Sequence, residues 1–232
     1  MNDSEGKVDF LVPTTSNHTD WEVAEDTHLY KIFFRSLAQH RPDAINTIYC
    51  GFDFDDKIFG IGYEREKFNK FGFNIEWIPV EPNRGNVVSI WNHLATVSKS
   101  DYLMIIGDDI LFPNDKDWLR LFKKMLIKNN NWGWSAGYSN NDKIATQFLI
   151  HRKHIHHFGW VYPPALKNWY CDDFMFQIYP RVFRGWRKDY PLLNCGGRPR
   201  YMPQNDKNLC DKLIQRYQKD LLKSINKFKY SD

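Results

Sequence analysis

The chain has 232 residues, and its 32 lysines and arginines exceed its 28 aspartates and glutamates to give a formal charge of +4. That length predicts one domain, over 1–232, with a sizeable core, and so mild a charge does not by itself indicate nucleic-acid binding. The four cysteines form no CxxC pair, so neither a zinc site nor a disulfide framework is indicated. The amino terminus lacks an apolar run of signal-peptide length, and no stretch approaches the length of a membrane span. We therefore expect a cytoplasmic protein without an integral membrane segment, and the sequence indicates nothing about its oligomeric state.

Strands and helices alternate through the first half of the chain. Apolar runs predict strands over 8–12, 46–51, 73–80 and 102–106. Helical spacing predicts a helix over 22–39, an exposed helix over 56–70, a helix that Asn86 caps and another from Asn114. A βα series of this kind requires a mostly parallel sheet with right-handed crossovers. The predicted class is therefore α/β.

The pattern changes after residue 130. Strands over 132–138 and 146–152 are separated only by polar turn residues, which predicts a hairpin and thus an added antiparallel part of the sheet. Histidines cluster nearby, but their irregular spacing favours basic loop residues over a metal site; they are His151, His154, His156 and His157. A long amphipathic helix over 206–228 is the last predicted element.

Asp108 and Asp109 directly follow the fourth predicted strand, after Gly107. Ligands bind open α/β sheets at the carboxyl ends of the strands, so both carboxylates should project into the binding crevice. Paired acidic oxygens suit a hard divalent cation, Mn²⁺ or Mg²⁺, that also holds a diphosphate. An acidic turn before the next helix is the alternative, but Asp-Asp between two apolar runs is a poor ordinary turn. We interpret the pair as a metal site.

Two other strand ends carry polar groups that suit a nucleotide. Pro13, Thr14 and Thr15 leave hydroxyls and free backbone donors after the first strand. Asp53 and Asp55 follow the second strand, where acids can accept hydrogen bonds from a base or a ribose. Simple turn residues would give the same pattern at this second position.

A second acidic pair, Asp172 and Asp173, opens an apolar helix. Acids in a first helical turn are favourable for dipole reasons alone, but a carboxylate here could also take a proton from an acceptor hydroxyl. Trp169, just before the pair, could stack on a sugar face. Further on, Arg198 and Arg200 lie in a glycine-containing stretch that suits a loop closing over phosphate. A basic surface turn would have the same composition.

Together these motifs resemble the GT-A glycosyltransferases, closest to the inverting family 2 type, over residues 8 to about 180. The segments that carry the resemblance are Phe10 to Thr15, Asp53 to Asp55, Asn83-Arg84-Gly85, Trp91-Asn92, and Ser100-Asp101-Tyr102 leading to Gly107-Asp108-Asp109. The resemblance implies a Rossmann-like three-layer sandwich. It also implies a nucleotide-binding half over about 8–110, an acceptor half over about 111–204 and a C-terminal helix over about 205–228.

The resemblance further implies roles for single residues. The Gly107-Asp108-Asp109 stretch is similar to the DxD motif, with glycine where the first aspartate usually stands, which leaves Asp109 as the main metal ligand. Arg84 would join the donor-binding residues, and the second acidic pair resembles the one that supplies the catalytic base.

The implied reaction is transfer of a single sugar, with inversion, from a nucleotide-diphosphate sugar, expected to be a uridine diphosphate sugar, to a hydroxyl of a glycan acceptor. Processive members of the family carry a Gln-x-x-Arg-Trp motif, which Arg184-Gly185-Trp186 does not match. The compact chain also looks like the small transferase domains of large DNA viruses.

Three other classes stay open from the sequence. Gly-Asp-Asp between apolar runs also resembles the palm motif of RNA-dependent RNA polymerases, although 232 residues hardly provide fingers and thumb. A sugar-nucleotide pyrophosphorylase would need a Gly-rich basic loop after the first strand, and Pro13-Thr14-Thr15 stands there instead. A non-catalytic carbohydrate-binding or scaffold module could keep the same fold, since fold does not imply function.

Overall fold

A computed structural model describes residues 6–82, 85–197 and 200–229. Its strands are β1 (Val8–Pro13), β2 (Ile45–Asp53), β3 (Ile75–Val80), β4 (Tyr102–Ile105), β5 (Ile110–Leu111), β6 (Trp134–Tyr138), β7 (Phe148–His151), β8 (Arg184–Pro191) and β9 (Leu193–Asn194). Its α-helices are α1 (Arg35–Gln39), α2 (Gly62–Glu66), α3 (Val87–Val97), α4 (Trp118–Lys128), α5 (Lys153–Phe158), α6 (Cys171–Ile178) and α7 (Lys207–Lys229).

Within the described residues, one seven-stranded sheet has the order β3-β2-β1-β4-β7-β6-β8. The first four strands in this order pair in parallel. β7 runs antiparallel to both of its neighbours, and β6 and β8 are parallel to each other. β7 therefore runs alone against the other six strands, which confirms a mostly parallel sheet with an antiparallel part. The carboxyl ends of the six co-directional strands meet at one edge of the sheet.

The sheet is buried on both faces, which explains why its central strands read as unbroken apolar runs. Successive side chains point to opposite faces, so Phe10 and Met104 join one core cluster while Leu11 and Leu103 join the other. The first cluster includes α4 and the helical residues before α1, and the second includes α3, α6 and α7. Helices thus cover both faces of the sheet, as the sequence predicted for a three-layer sandwich.

Several helix boundaries differ from the predicted ones. The helix expected over 22–39 is divided into a 3₁₀ turn (Ala24–Asp26), a π-helical segment (Leu29–Phe34) and α1. The helix expected from Asn114 begins at Trp118, because the Asp115 carboxylate accepts a hydrogen bond from the Asp117 amide at 2.8 Å and forms a turn first. The predicted hairpin is confirmed as β6 and β7, and the last predicted helix as α7. α5, β8 and the small β5–β9 sheet were not predicted.

The prediction of an exposed helix over 56–70 was wrong at its start. The Asp56 carboxylate accepts hydrogen bonds from the backbone amides of Ile58 and Phe59, at 3.0 and 2.9 Å, and this turn delays α2 to Gly62. Ile58 and Phe59 are buried rather than exposed. A second 3₁₀ turn, Lys67–Phe71, then follows α2 and places Phe68 in the core.

Asp56 also holds the loop that follows β1. It is 3 % exposed, and its carboxylate accepts hydrogen bonds from the Ser16 amide at 2.7 Å, from the Ser16 hydroxyl and from the Thr15 hydroxyl at 3.2 Å. A buried carboxylate is tolerable only when donors satisfy its oxygens. One side chain therefore joins the loops that follow β1 and β2.

We expect Asp56→Ala to lower the free energy of unfolding by about 3 kcal/mol or more, because several buried donors lose a charged acceptor together. Asp20→Ala, a change at an exposed aspartate in the same loop region, should stay within about 0.5 kcal/mol of the wild type. Urea denaturation of both variants measures the difference. An Asp56→Ala protein as stable as the Asp20→Ala control would show that Asp56 does not hold the two loops.

Candidate functional site

A cleft of about 880 Å³ lies at the edge of the sheet where the carboxyl ends of the strands meet. The loops after β1, β2, β4 and β6 line it, together with the first halves of α3 and α6, the end of β9 and the 200–204 segment before α7. Among the residues that line it are Pro13, Thr14, Thr15, Asp53, Asp108, Asp109, Asp172, Asp173 and Arg200. The topology thus brings together acids that lie up to 120 residues apart in the sequence, as expected for ligand sites of open α/β sheets.

Asp108 is buried and fully paired. The Arg200 guanidinium donates to both of its carboxylate oxygens, to Oδ2 at 2.9 Å and to Oδ1 in a shorter contact, and the Thr14 hydroxyl donates to Oδ2 at 2.6 Å. Arg200 also donates to the Thr15 carbonyl at 2.7 Å and lies 5.3 Å from the centre of the Trp21 ring. A bidentate arginine satisfies a carboxylate in both charge and geometry. The Asp108 carboxylate is therefore bound by Arg200 and Thr14. The sequence predicted a metal site for Asp108 and Asp109 and did not predict this ion pair.

Asp109 has a different environment from its neighbour. Its carboxylate is pressed between two glycines: a Cβ placed on Gly196 would lie 1.9 Å from Oδ2, and one on Gly107 would lie 2.9 Å from Oδ1. Its backbone carbonyl accepts a hydrogen bond from the Cys195 amide at 2.9 Å. Burial, and secondly the charge of Asp108, raise the pKa of Asp109 to about 6. Glycine at position 107, which departs from the DxD pattern, leaves room for this carboxylate.

In residues 6–82, 85–197 and 200–229, no group of three or more His, Cys, Asp or Glu side chains is arranged to hold a metal. A metal that carries a diphosphate needs fewer protein ligands, since Mg²⁺ is commonly bound by one or two carboxylates together with substrate phosphates and water. Asp109 in its glycine cradle fits that role, and it supplies the hard oxygen ligand that Mn²⁺ and Mg²⁺ prefer. The residues present therefore fit a divalent ion whose remaining ligands come from the substrate.

Asp172 and Asp173 form the first turn of α6, as predicted, and line the same cleft as Asp109. Burial, and then the charge of Asp173, raise the pKa of Asp172 to about 6. Burial also raises the pKa of Asp173, whose charged neighbours are Asp211 and Lys207 of α7. Tyr170, directly before the helix, has a φ of +68°, a left-handed conformation that non-glycine residues seldom adopt. Strained backbone of this kind is concentrated at functional sites.

Aromatic side chains form the apolar part of the cleft. Trp169 lines the mouth of the cleft and is 44 % exposed, which fits its predicted role as a stacking surface. Trp91 donates its indole NH to the Leu11 carbonyl at 3.1 Å and meets the Tyr162 ring edge-on at 5.4 Å. Tyr201 lines the cleft from the 200–204 segment.

Some predicted residues lie elsewhere. Asp55 is exposed, and it is absent from the described lining of the cleft, whereas Asp53 is buried and accepts a hydrogen bond from the Asn17 amide group at 3.4 Å. Arg84 and Arg198 lie outside the described residues. The clustered histidines are on β7 and α5, where His154 is buried and bonded to the Tyr179 hydroxyl and the Val161 carbonyl.

Several residues of the cleft that act through neutral side-chain amides were not predicted from the sequence. Gln147, at the start of β7, accepts a hydrogen bond from the Gly107 amide at 2.9 Å. Asn140 exchanges two hydrogen bonds, both 3.1 Å, with the backbone of Asn194 beside β5. Asn168 joins three loops. Such residues have no spacing that distinguishes them from ordinary loop asparagines and glutamines, so only their position in the fold identifies them.

The acid pair is not placed as in a polymerase palm hairpin. It follows β4 in a βα series, and the next strand, β5, pairs with β9 rather than with β4. Among the described residues, no helix has both the length and the apolar character that crossing a bilayer requires.

No protein-family model matches the sequence, and a search of curated proteins finds no match. Solved structures match in fold. A fragment of S. aureus TarS in complex with UDP-GlcNAc has a TM-score of 0.62 at 11 % identity, over 90 % of this chain and 65 % of its own. The mannosyltransferase PcManGT from Pyrobaculum calidifontis, in complex with GDP-Man and Mn²⁺, has a TM-score of 0.61 at 11 % identity, over 83 % of this chain and 58 % of its own.

GalNAc-T7 with UDP, GalNAc and Mn²⁺ gives a TM-score of 0.58 at 11 % identity, over 84 % of this chain and 45 % of its own. The chain spans 39 % of the longer TarS chain that it also matches. At such low identity the matches establish the architecture, an α/β sandwich with a mostly parallel sheet and a terminal helix. The chain has the GT-A fold of glycosyltransferases.

Proposed function

We propose that the chain transfers a single sugar from a nucleotide-diphosphate sugar, with uridine diphosphate as the expected leaving group, to a hydroxyl of a glycan acceptor, with inversion. The observation that carries this proposal is the placement of two separate acidic groups, Asp109 and the Asp172–Asp173 pair, on one cleft of a GT-A fold. Neighbours of the same fold were solved with UDP-GlcNAc and with GDP-Man and Mn²⁺, which supports a nucleotide-sugar donor.

The donor half of the cleft is proposed to be the edge formed by β1, β2 and β4. Asp53 and the loop of Pro13, Thr14 and Thr15 contact the nucleoside. Asp109 would hold the metal, Mn²⁺ or Mg²⁺, which when bound would neutralise the charge that develops on the departing diphosphate. Arg200 lies beside this position and offsets the charge of Asp108, so that the diphosphate does not meet a second unpaired carboxylate.

The acceptor half is proposed to be the edge formed by α6. A carboxylate of the Asp172–Asp173 pair takes the proton of the acceptor hydroxyl as that oxygen attacks the anomeric carbon. We assign this role to Asp172, because burial and the charge of Asp173 raise its pKa to about 6, whereas the charged neighbours of Asp173 are Asp211 and Lys207 of α7. Trp169 offers a flat apolar surface for the acceptor sugar. One displacement with one base inverts the anomeric carbon.

A screen of nucleotide sugars that reads release of nucleoside diphosphate tests the function directly. We expect metal-dependent turnover by the wild type, and a loss of at least about 1000-fold in both Asp109→Ala and Asp172→Asn. Metal-dependent donor binding, measured by calorimetry, should weaken only in Asp109→Ala, because only Asp109 is assigned to the metal. Asp117→Asn, at an exposed position before α4, is the matched control and should keep wild-type turnover.

Two outcomes would contradict these assignments. Equal metal-dependent donor binding by the wild type and Asp109→Ala would remove Asp109 as the metal ligand. Sugar binding without diphosphate release from any donor would favour a carbohydrate-binding module of the same fold.

The pH profile tests the base separately. Asp172 must be ionised to accept a proton, so kcat should fall as the pH drops through about 6, the pKa to which burial and Asp173 raise it. Replacing Asp173 with asparagine removes a negative neighbour and should move the acidic limb to lower pH, because the proton on Asp172 is then held less tightly. Initial rates between pH 5 and 8 measure the shift. An acidic limb that does not move to lower pH in Asp173→Asn, or a loss of turnover in that variant, would contradict the assignment of Asp172 as the base.

A further inference from the structure

Asn168 is a buried amide that uses all of its hydrogen-bonding directions within the protein. It is 3 % exposed. Its Nδ2 group donates to the Gly85 carbonyl at 2.6 Å and to the Met202 carbonyl at 3.2 Å. Its Oδ1 atom accepts from the amides of Trp169 at 2.6 Å and Gln204 at 3.0 Å. Other side chains cannot supply these four hydrogen bonds, so any replacement leaves buried polar backbone groups unpaired.

The four partners of Asn168 belong to three separate segments of the cleft wall. Gly85 precedes α3, and Trp169 precedes the acidic pair of α6. Met202 and Gln204 belong to the 200–204 segment, which is more than 30 residues further along the chain. A single side chain therefore sets the distance between the segment that carries the proposed base and the segment that carries Arg200.

The 200–204 segment is held at two points. At its beginning, Arg200 is bonded to Asp108 and to the Thr15 carbonyl. At its end, Met202 and Gln204 are bonded to Asn168. Tyr201 lies between the two anchors, lines the cleft, and has Asp172 and Asp109 among the charged groups that act on it. The segment thus lines the cleft near both the proposed metal ligand and the proposed base.

We propose that Asn168 is a positioning residue that holds the 200–204 segment over the reaction space, so that the acceptor hydroxyl rather than water reaches the anomeric carbon. This inference rests on the proposed function. In the competing reaction, water attacks the anomeric carbon, the bond from that carbon to the diphosphate oxygen breaks, and the proton of the water passes to the base. The products are free sugar and nucleoside diphosphate. Closed sites suppress such hydrolysis by excluding water.

The test compares two asparagines whose side chains both bridge separate backbone segments by hydrogen bonds. Asn92 is also a side-chain bridge: it donates to the Tyr162 carbonyl at 2.9 Å and accepts from the amides of Val161 and Tyr162 at 2.8 and 3.1 Å. It joins α3 to the loop after α5, and none of these bonds reaches the 200–204 segment. Asn92 is half-buried, and Asn92→Ala therefore controls for the general cost of losing an amide side chain that bridges two segments.

For each variant, free sugar and glycan product are quantified from one labelled donor, with and without acceptor. We expect Asn168→Ala to raise the ratio of hydrolysis to transfer by at least about fivefold and to raise the donor KM, because the segment no longer excludes water or steadies Arg200. Asn92→Ala should leave the ratio at the wild-type value. Asn168→Asp keeps the two accepting contacts but loses both donated bonds, and it should shift the ratio in the same direction as Asn168→Ala.

Hydrogen exchange gives a second readout that does not need turnover. Amides of the 200–204 segment should exchange faster in Asn168→Ala and Asn168→Asp than in Asn92→Ala. Equal hydrolysis ratios in the Asn168 and Asn92 variants, with the wild type active, would overturn the positioning role and leave the proposed function intact. A wild type that releases no diphosphate from any donor would instead overturn the proposed function, and the inference with it. If Asn168→Ala does not fold, the Asp variant decides the question.

Discussion

The buried ion pair between Asp108 and Arg200 is the contact on which the cleft depends. A carboxylate that is 3 % exposed is costly unless its charge is neutralised and its oxygens are bonded. The guanidinium that does this comes from a residue 92 positions later in the chain. Because the same guanidinium holds the Thr15 carbonyl, the pair draws the segment before α7 across the ends of β1 and β4. The C-terminal part of the chain thereby becomes a wall of the site.

Burial and the charge of Asp108 outweigh the opposing effect of Arg200 on the pKa of Asp109. Asp109 keeps a raised pKa, about 6, because it is buried beside the Asp108 charge. Asp172, which lines the same cleft, reaches a similar pKa of about 6, by burial and by the charge of Asp173. A raised carboxyl pKa in the folded state means that folding binds protons, so these groups lower stability as the pH rises from the unfolded pKa through about 6. Costs of this kind are concentrated at sites that are used for chemistry.

Much of the architecture was predictable because it rests on local signals. Apolar runs identified β1 to β4, and the acids at their ends followed from the rule that parallel strands share one functional edge. The failures occurred where a single side chain competed with the helix. The carboxylates of Asp56 and Asp115 each accept hydrogen bonds from nearby backbone amides, so the helix begins further along the chain. The sequence pattern alone predicts that both residues belong to the helix. β8 was missed because its mixed polar and apolar residues lack a clear alternation, and its pairing with β6 is non-local.

The sequence by itself determined the α/β class, the order of the βα units and the candidate acids Asp108, Asp109, Asp172 and Asp173, because period, turn chemistry and strand ends are local properties of the chain. Only the tertiary structure decided which groups each of these acids contacts. It paired Asp108 with Arg200, left Asp109 between two glycines, excluded Asp55 from the described lining of the cleft and joined three loops through Asn168. These outcomes depend on which distant segments meet at the edge of the sheet, and no spacing within the chain encodes that meeting.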